Sequence, residues 1–352
     1  MRRPLHLLAL LLLVASCTVV TACGSDDDSG SGSSSTSNST AESTPEAKKI
    51  KVGLVTDIGG LNDRSFNQLA NEGLERAKSE LGVETRVLVS KANSDYVPNL
   101  STLAQQKYDL VIGVGFLMAE AMDTVGSKFP DTKFAIIDVD ATSLKSKPTN
   151  VSGALFKEQE AGYLVGYMAG LYLKDEGGGT AGSVGGQKIP PVDHYIAGYQ
   201  AGVQAANPDA KVVNGYSQKF DDPAPCKEIA LDQIAQGAKV VFQVAGGCGL
   251  GALDAAKEKS VQGIGVDADQ AYLGDQIMTS ALKKVDVAVY DEVKAVQDDT
   301  FKGGDNAIFD VKSGGVGIGE TNEVGAKYAD QVKEIQDKIA SGELTDIPDT
   351  VK

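Results

Sequence analysis

Leu110–Val114, LVIGV, is apolar at every position, so as a strand it has no face to offer to water. Such a strand belongs in a parallel sheet covered by helices on both sides, because a sheet that is wet on one side needs alternation. Its surroundings agree. Lys51–Thr56, Glu84–Ser90 and Phe134–Ile137 read as further strands. Between the first two, Phe66, Leu69, Ala70, Leu74, Ala77 and Leu81 recur at helical spacing, with Asn62, Asp63 or Ser65 available as a cap. Pro98–Gln106 reads as a second helix with the proline tolerated in its first turn, and another helix begins near Met118. Strands alternating with helices make an α/β chain.

The pattern starts over after a boundary near Asn150-Val151. Ala161–Leu173, AGYLVGYMAGLYL, is too short to span a bilayer and rich in small residues, so it reads as a buried helix in close packing. A glycine joint at Gly177–Gly179 and the run Ala181–Gly186 lead to a helix around His194–Ala206, stopped by Asn207-Pro208-Asp209. Val212–Tyr216 reads as a strand, and Phe220-Asp221-Asp222-Pro223 closes that unit. Lys239–Val244 is a strand, Gly246–Gly251 a glycine turn, Ala252–Lys259 a helix and Gly263–Val266 a strand ending on Asp267. Met278–Asp286 enters a helix that runs through Val296, Phe309–Gly319 suggests a short hairpin, and Val324–Ala340 reads as a final amphipathic helix.

The amino terminus carries a different signal. Arg2 and Arg3, the apolar run Leu7–Val20 and the small residues before Cys23 describe an export leader over 1–22. With cysteine after Val20-Thr21-Ala22, the pattern looks like a bacterial lipobox whose Cys23 is acylated; an ordinary leader with an incidental cysteine is the alternative. The stretch 23–48 is mostly Ser, Thr, Gly, Asp and Glu, which cannot bury a core, and is expected to be a flexible tether. The chain carries −15, and losing Arg2 and Arg3 with the leader makes that −17. That excludes a basic footprint for nucleic acid, and it is a poor match for anionic lipid, so any anchoring is expected to fall to an acyl group; the plainer meaning of the charge is solubility. Cys17 lies in the leader. Cys226 and Cys248 remain, an even pair that suggests a disulfide in an exported chain, with two separate buried thiols as the alternative.

Catalytic sets are thin. Beyond the leader His194 is the one histidine, and no Walker loop or H-E-x-x-H occurs. The glycine turn between strand and helix echoes a dinucleotide fingerprint, but its spacing is not G-x-G-x-x-G, and neither cofactor nor metal is expected. The strand-end carboxylates Asp57, Asp138 and Asp267 suit accepting hydrogen bonds from hydroxyls or ring nitrogens more than acid–base work.

One block identifies the chain with a family. D-x-G-G-x-x-D-x-S-F-N-Q, over Asp57–Gln68, resembles the opening of the basic-membrane-protein family, purine-nucleoside-binding lipoproteins that feed ABC importers. Further matching blocks at Phe134–Asp138, Phe156–Leu171, Asn207–Val212, Phe220–Gly251, Gly265–Gln270 and Thr279–Asp286 extend it over nearly the whole chain after the tether. The resemblance implies a two-lobed, type I periplasmic-binding-protein-like fold with several hinge crossings, each lobe a parallel sheet flanked by helices. The first lobe would comprise 49–152 plus about 281–352, and the second 153–280. It implies a purine nucleoside (adenosine, guanosine or inosine) stacked between Phe66 and Phe220. Asn67 and Asp138 would read the base edge, Asp57 and Asp267 would accept from ribose hydroxyls, Lys283 would donate to the ribose, and Gly246 would let main chain approach. It further implies an ABC permease as partner, a lipid-anchored location on the extracytoplasmic face, a monomer and no enzymatic activity. Another small ligand, a signalling lipoprotein and an exported nucleoside hydrolase are the alternatives. Two departures stand out. Asp140 shares the expected strand face with Asp138, and Cys248 sits where the family often has threonine. Paired with Cys226, it would staple the Phe220 turn to the glycine loop.

Overall fold

The computed structural model describes Lys48–Val351. The expected leader, Cys23 and nearly all of the expected tether lie outside the described residues. The chain opens with β1 (Lys51–Val55), α1 (Phe66–Leu81), β2 (Glu84–Leu88), α2 (Tyr96–Gln105), β3 (Leu110–Val114), α3 (Ala119–Lys128), β4 (Lys133–Ile137) and β5 (Val151–Phe156). It continues through α4 (Glu158–Asp175), β6 (Thr180–Gly185), α5 (Pro190–Ala206), β7 (Lys211–Tyr216), α6 (Pro223–Ala235), β8 (Ala238–Val244), α7 (Gly246–Glu258), β9 (Gln262–Asp267) and β10 (Ile277–Lys283). It ends with α8 (Val285–Gln297), β11 (Asn306–Phe309), β12 (Val316–Ile318) and α9 (Ala329–Ser341).

Two six-stranded sheets result, in the orders β11-β5-β4-β3-β1-β2 and β12-β10-β9-β8-β6-β7. The β1–β5 half and the β6–β10 half therefore repeat one topology. Every pairing is parallel except β10 with β12. In each sheet the order reverses beside the first strand of the half, and open α/β sheets bind ligands at the carboxyl ends around such a point. Two such edges, one per lobe, frame the site.

Local chemistry sets the element ends. The Asp63 carboxylate accepts from the backbone N–H groups of Ser65, Asn67 and Gln68, so it is Asp63 that serves the free donors at the start of α1. Asp222 accepts from Ala224 N and starts α6, so the Phe220–Pro223 stretch opens a helix as much as it ends a unit. The expected close packing of small residues is present between α4 and α5. A Cβ at Gly162 or Gly166 would lie 2.2 Å from the carbonyl oxygen of Tyr195 or Tyr199, and one at Gly198 would lie 2.1 Å from that of Gln159.

Four expectations are corrected. Ile277–Lys283 is a strand, not the entry to a helix: its Met, Ala and Leu suit a helix, but six of its seven residues are buried in the sheet, and tertiary context overrides so weak a preference. The Phe309–Gly319 hairpin does not form, because β11 joins β5 in the first sheet while β12 joins β10 in the second. The glycine turn at Gly246–Gly251 is the first part of α7, and Gly251 is there for packing, since a Cβ would meet the Pro223 carbonyl at 2.0 Å. The stretch from about 281 onward, expected with the first lobe, is divided: α8 packs on α1, whereas β12 lies in the second sheet and α9 packs on α4. The chain thus passes between lobes at β5–α4, at β10–α8 and at β11–β12.

Candidate functional site

The residues singled out from sequence come together. Asp57, Phe66, Asn67, Asp138, Phe220, Gly246, Asp267 and Lys283 all line one cavity between the lobes, with Asp63, Phe116, Pro191, Val192 and Tyr195 beside them. The centre of a water-sized sphere has about 70 Å³ to move in there, several times what one water needs.

The first lobe contributes the turn after β1 and the ends of β3 and β4. Asp57 accepts from its neighbour Ile58 N at 2.7 Å and from the Tyr96 hydroxyl, and its own N–H donates to Asn67 Oδ1 at 2.8 Å. Burial pushes the Asp57 carboxyl up to about 6 against those two donors, which favour its charge. Gly115 closes β3 at φ 108, and a Cβ there would come within 2.5 Å of Asp57 Oδ2, so only glycine leaves that carboxylate its place. Asn67 also donates to Asp63 Oδ2 at 3.0 Å, which leaves its 3.4 Å contact with the Ile58 carbonyl as the bond most easily exchanged.

Asp138 and Asp267 follow or end equivalent strands, β4 and β9, and both adopt left-handed backbone, φ 69 and 60. Aspartate tolerates that conformation better than most residues, and it turns the chain just where each strand meets the cavity. Asp140 does not share that face. Its carboxylate caps the next turn through Thr142 N at 2.8 Å and accepts from Asn306 Nδ2 at 2.6 Å, away from the cavity lining. Asp267 accepts from Ser65 Oγ at 2.6 Å, a bond from one lobe to the other, and from the Tyr195 hydroxyl at 3.3 Å. Gln270 Nε2 adds a second crossing by donating to the Arg64 carbonyl at 3.1 Å.

Lys283 is 2 % exposed, with its ammonium 2.6 Å from Asp138 Oδ1 and 2.8 Å from Glu158 Oε1. It also lies 5.2 Å from the Phe66 ring centre and 4.8 Å from that of Phe156. Burial disfavours its charge, but Asp138 and Glu158 outweigh burial and raise its pKa. Burial raises Asp138 despite the lysine, whereas for Glu158 Lys283 and His194 overcome burial and lower it. His194 Nδ1 lies 3.1 Å from Glu158 Oε2, and that contact raises the imidazole above its ordinary value although burial opposes it.

Phe66 and Phe220 enter the cavity from opposite lobes, both half-buried. Cys226 and Cys248 are bonded with Cα atoms 5.6 Å apart, and Cys248 N donates to the Phe220 carbonyl at 3.0 Å, so the bridge stands directly under the Phe220 turn. Glu158 and Tyr195 were not singled out from sequence. A glutamate at a helix start is ordinary, and only folding shows Glu158 to be buried against a lysine 125 residues away. Among the described residues no cluster of His, Cys, Asp or Glu has metal-binding geometry.

This chain and its fold have known counterparts. A sequence model of a family described as "ABC transporter substrate-binding protein PnrA-like" matches residues 50–349. The chain is 33% identical over 318 residues to "ABC transporter nucleoside-binding protein BmpA" of Lactococcus lactis, covering 84% of this chain and 88% of that one. It is 38% identical over 323 residues to an uncharacterized lipoprotein of Pyrococcus abyssi, covering 88% and 77%. Among solved structures it resembles a solute-binding protein of an ABC transporter system from Aeropyrum pernix K1, with TM-score 0.78 and 31% identity over 85% of this chain and 94% of that one.

Proposed function

We propose, since the chain belongs to the PnrA-like family of ABC transporter substrate-binding proteins, that it captures a purine nucleoside (adenosine, guanosine or inosine) between its lobes and delivers it to an ABC permease. The observation that carries this reading is the cavity where phenylalanines from both lobes meet four carboxylates and, among the described residues, a single lysine. Flat apolar base faces suit Phe66 and Phe220, at roughly 1–3 kcal/mol per stacked ring. Ionised carboxylates only accept, so Asp57, Asp138 and Asp267 suit a ligand rich in N–H and O–H donors. Asp138, with Asn67, would take the base edge; Asp57 and Asp267 would take ribose hydroxyls; Lys283 would donate to the ribose; Gly246 would let main chain approach. A nucleotide phosphate would face an excess of negative charge, which favours the nucleoside.

The relative described as nucleoside-binding supports the ligand class, and relatives described as lipoproteins support anchoring through Cys23 on the extracytoplasmic face. Lobe closure over the ligand links occupancy to shape, and the closed form would be what a permease reads. Neither cofactor nor catalysis enters this account.

The test is calorimetric titration of the protein lacking its leader and tether with adenosine, guanosine, inosine, cytidine and ribose. One-to-one binding of purine nucleosides, with ribose and cytidine far weaker, is expected. Ribose alone binding as tightly as inosine would contradict the reading.

A further inference from the structure

Glu158 lies outside the lining of the cavity yet ties Lys283, the one lysine of that lining among the described residues, to the hinge. It is the first residue of α4, directly after the β5–α4 passage between lobes, and Lys283 is the last residue of β10, directly before the β10–α8 passage. The third passage is fastened to both. Lys157 N donates to the Phe309 carbonyl at 2.9 Å, Glu160 Oε2 accepts from Val311 N at 2.8 Å, and Lys284 N donates to the Gly315 carbonyl at 2.9 Å. The 2.8 Å Lys283–Glu158 pair therefore joins two of the three hinge segments, and both partners belong with the second lobe, where α4 packs on β10 and β12. The 2.6 Å Lys283–Asp138 pair instead crosses to the first lobe, as do the Ser65–Asp267 bond and the contact of Lys283 with the Phe66 ring.

We propose that Glu158 is a positioning residue that sets the opening equilibrium: Lys283 keeps Glu158 as its counterion in both open and closed forms and meets Asp138 only on closure. A buried ammonium stripped of every carboxylate is strongly disfavoured, so the partner that stays with it determines how easily the lobes part. With Glu158 present, opening separates Lys283 from Asp138 but leaves it paired. Without Glu158, opening would leave Lys283 close to Asp267 only, and the closed form gains. Without Asp138, closure gives Lys283 no new carboxylate, and the open form gains. The charged groups around this lysine are Asp138 from the end of β4, Glu158 of α4, Asp267 of β9 and, behind Glu158, His194 of α5. The lobe motion itself comes from the proposed binding mechanism, but the test below needs no ligand.

Hydrogen exchange of the full-length protein without ligand measures it. The cleft-facing segments 61–66 and 266–271 report opening, and β3 reports global unfolding. Glu158→Gln is expected to slow exchange in both cleft segments, and Asp138→Asn to speed it, each by roughly tenfold, the scale of a hydrogen bond to a charged group. A residue that merely stabilises the fold would give faster exchange in both variants, at β3 as well as in the cleft, and that result overturns the proposal. So does unchanged exchange in Glu158→Gln. Should Glu158→Gln fail to fold, Asp138→Asn decides, and cleft exchange no faster than in the native protein overturns the proposal. Inosine added afterwards slows cleft exchange in the native protein if the nucleoside reading holds. Its failure would remove that reading and leave the ligand-free comparison standing.

Discussion

Replacing both Cys226 and Cys248 with alanine tests how the second lobe holds its share of the cavity. The bridge closes a loop of 22 residues. Chain entropy assigns such a cross-link about 3 kcal/mol, by restricting the unfolded chain. Both sulfurs are fully buried, one on α6 and one on α7, and those helices also meet where Gly251 approaches the Pro223 carbonyl. The helix pair should therefore survive without the bond, and the loss should stay near the entropic figure. For a chain of this size that corresponds to a fall in Tm of roughly 5–10 °C. Urea unfolding of the native protein, each single alanine variant and the double variant is the assay. Each single variant already breaks the bond, so each should lose nearly as much as the double, a marked departure from additivity. Alanine keeps the residue-248 N–H that holds the Phe220 carbonyl, but without the bridge α7 is less firmly fixed to α6, so ligand affinity in the double variant should fall while stoichiometry stays unchanged. A double variant within about 1 kcal/mol of native stability would refute the reasoning. Single losses that sum to the double loss would refute it equally.

Gly166→Ala places a Cβ 2.2 Å from the Tyr199 carbonyl, and backbone cannot rotate aside, so α4 and α5 must separate; a net loss of about 1–3 kcal/mol is expected despite alanine's better helix propensity, read by thermal unfolding against the native protein. Glu292 is buried on α8, bonded to Ser152 Oγ at 2.7 Å, and burial pushes its carboxyl up to about 7 from 4.5. A folded-state pKa above the unfolded value means that ionisation opposes folding above pH 7, a penalty that disappears as pH falls toward 4.5. Glu292→Gln should therefore stabilise the protein at pH 8, by on the order of 1–3 kcal/mol, and do little at pH 5, as urea unfolding at the two pH values would show. Asp267→Ala should weaken nucleoside binding at least tenfold, since it also releases Ser65 Oγ and the Tyr195 hydroxyl; calorimetry reads the change.

What sequence reveals here follows from how local each determinant is. LVIGV announces a covered parallel strand because burial on two faces leaves its mark on every residue, and strand-end aspartates are visible because the strand itself is. The choice between Asp138 and Asp140 was not visible. Alternation puts both on one face, and only the left-handed backbone at Asp138 separates them, sending Asp140 to cap a turn and bind Asn306. β10 was hidden because Met, Ala and Leu serve a buried strand as well as a helix. β11 and β12 look like a hairpin because a short glycine-bearing link between strands gives no sign that its two sides join different sheets. Lys283 carried a sequence signal only through its block. Its burial between Asp138 and Glu158 depends on residues 145 and 125 positions away, which no local pattern encodes.

The central claim is that a purine nucleoside is held between one aromatic ring from each lobe. Calorimetric titration of inosine into the native protein, Phe66→Ala, Phe220→Ala and the double variant tests it most directly. Loss of about 1–3 kcal/mol for each ring, with one-to-one stoichiometry retained in the single variants, is the predicted result. Native affinity in either single variant would contradict it, and so would a folded native protein that takes up no purine nucleoside.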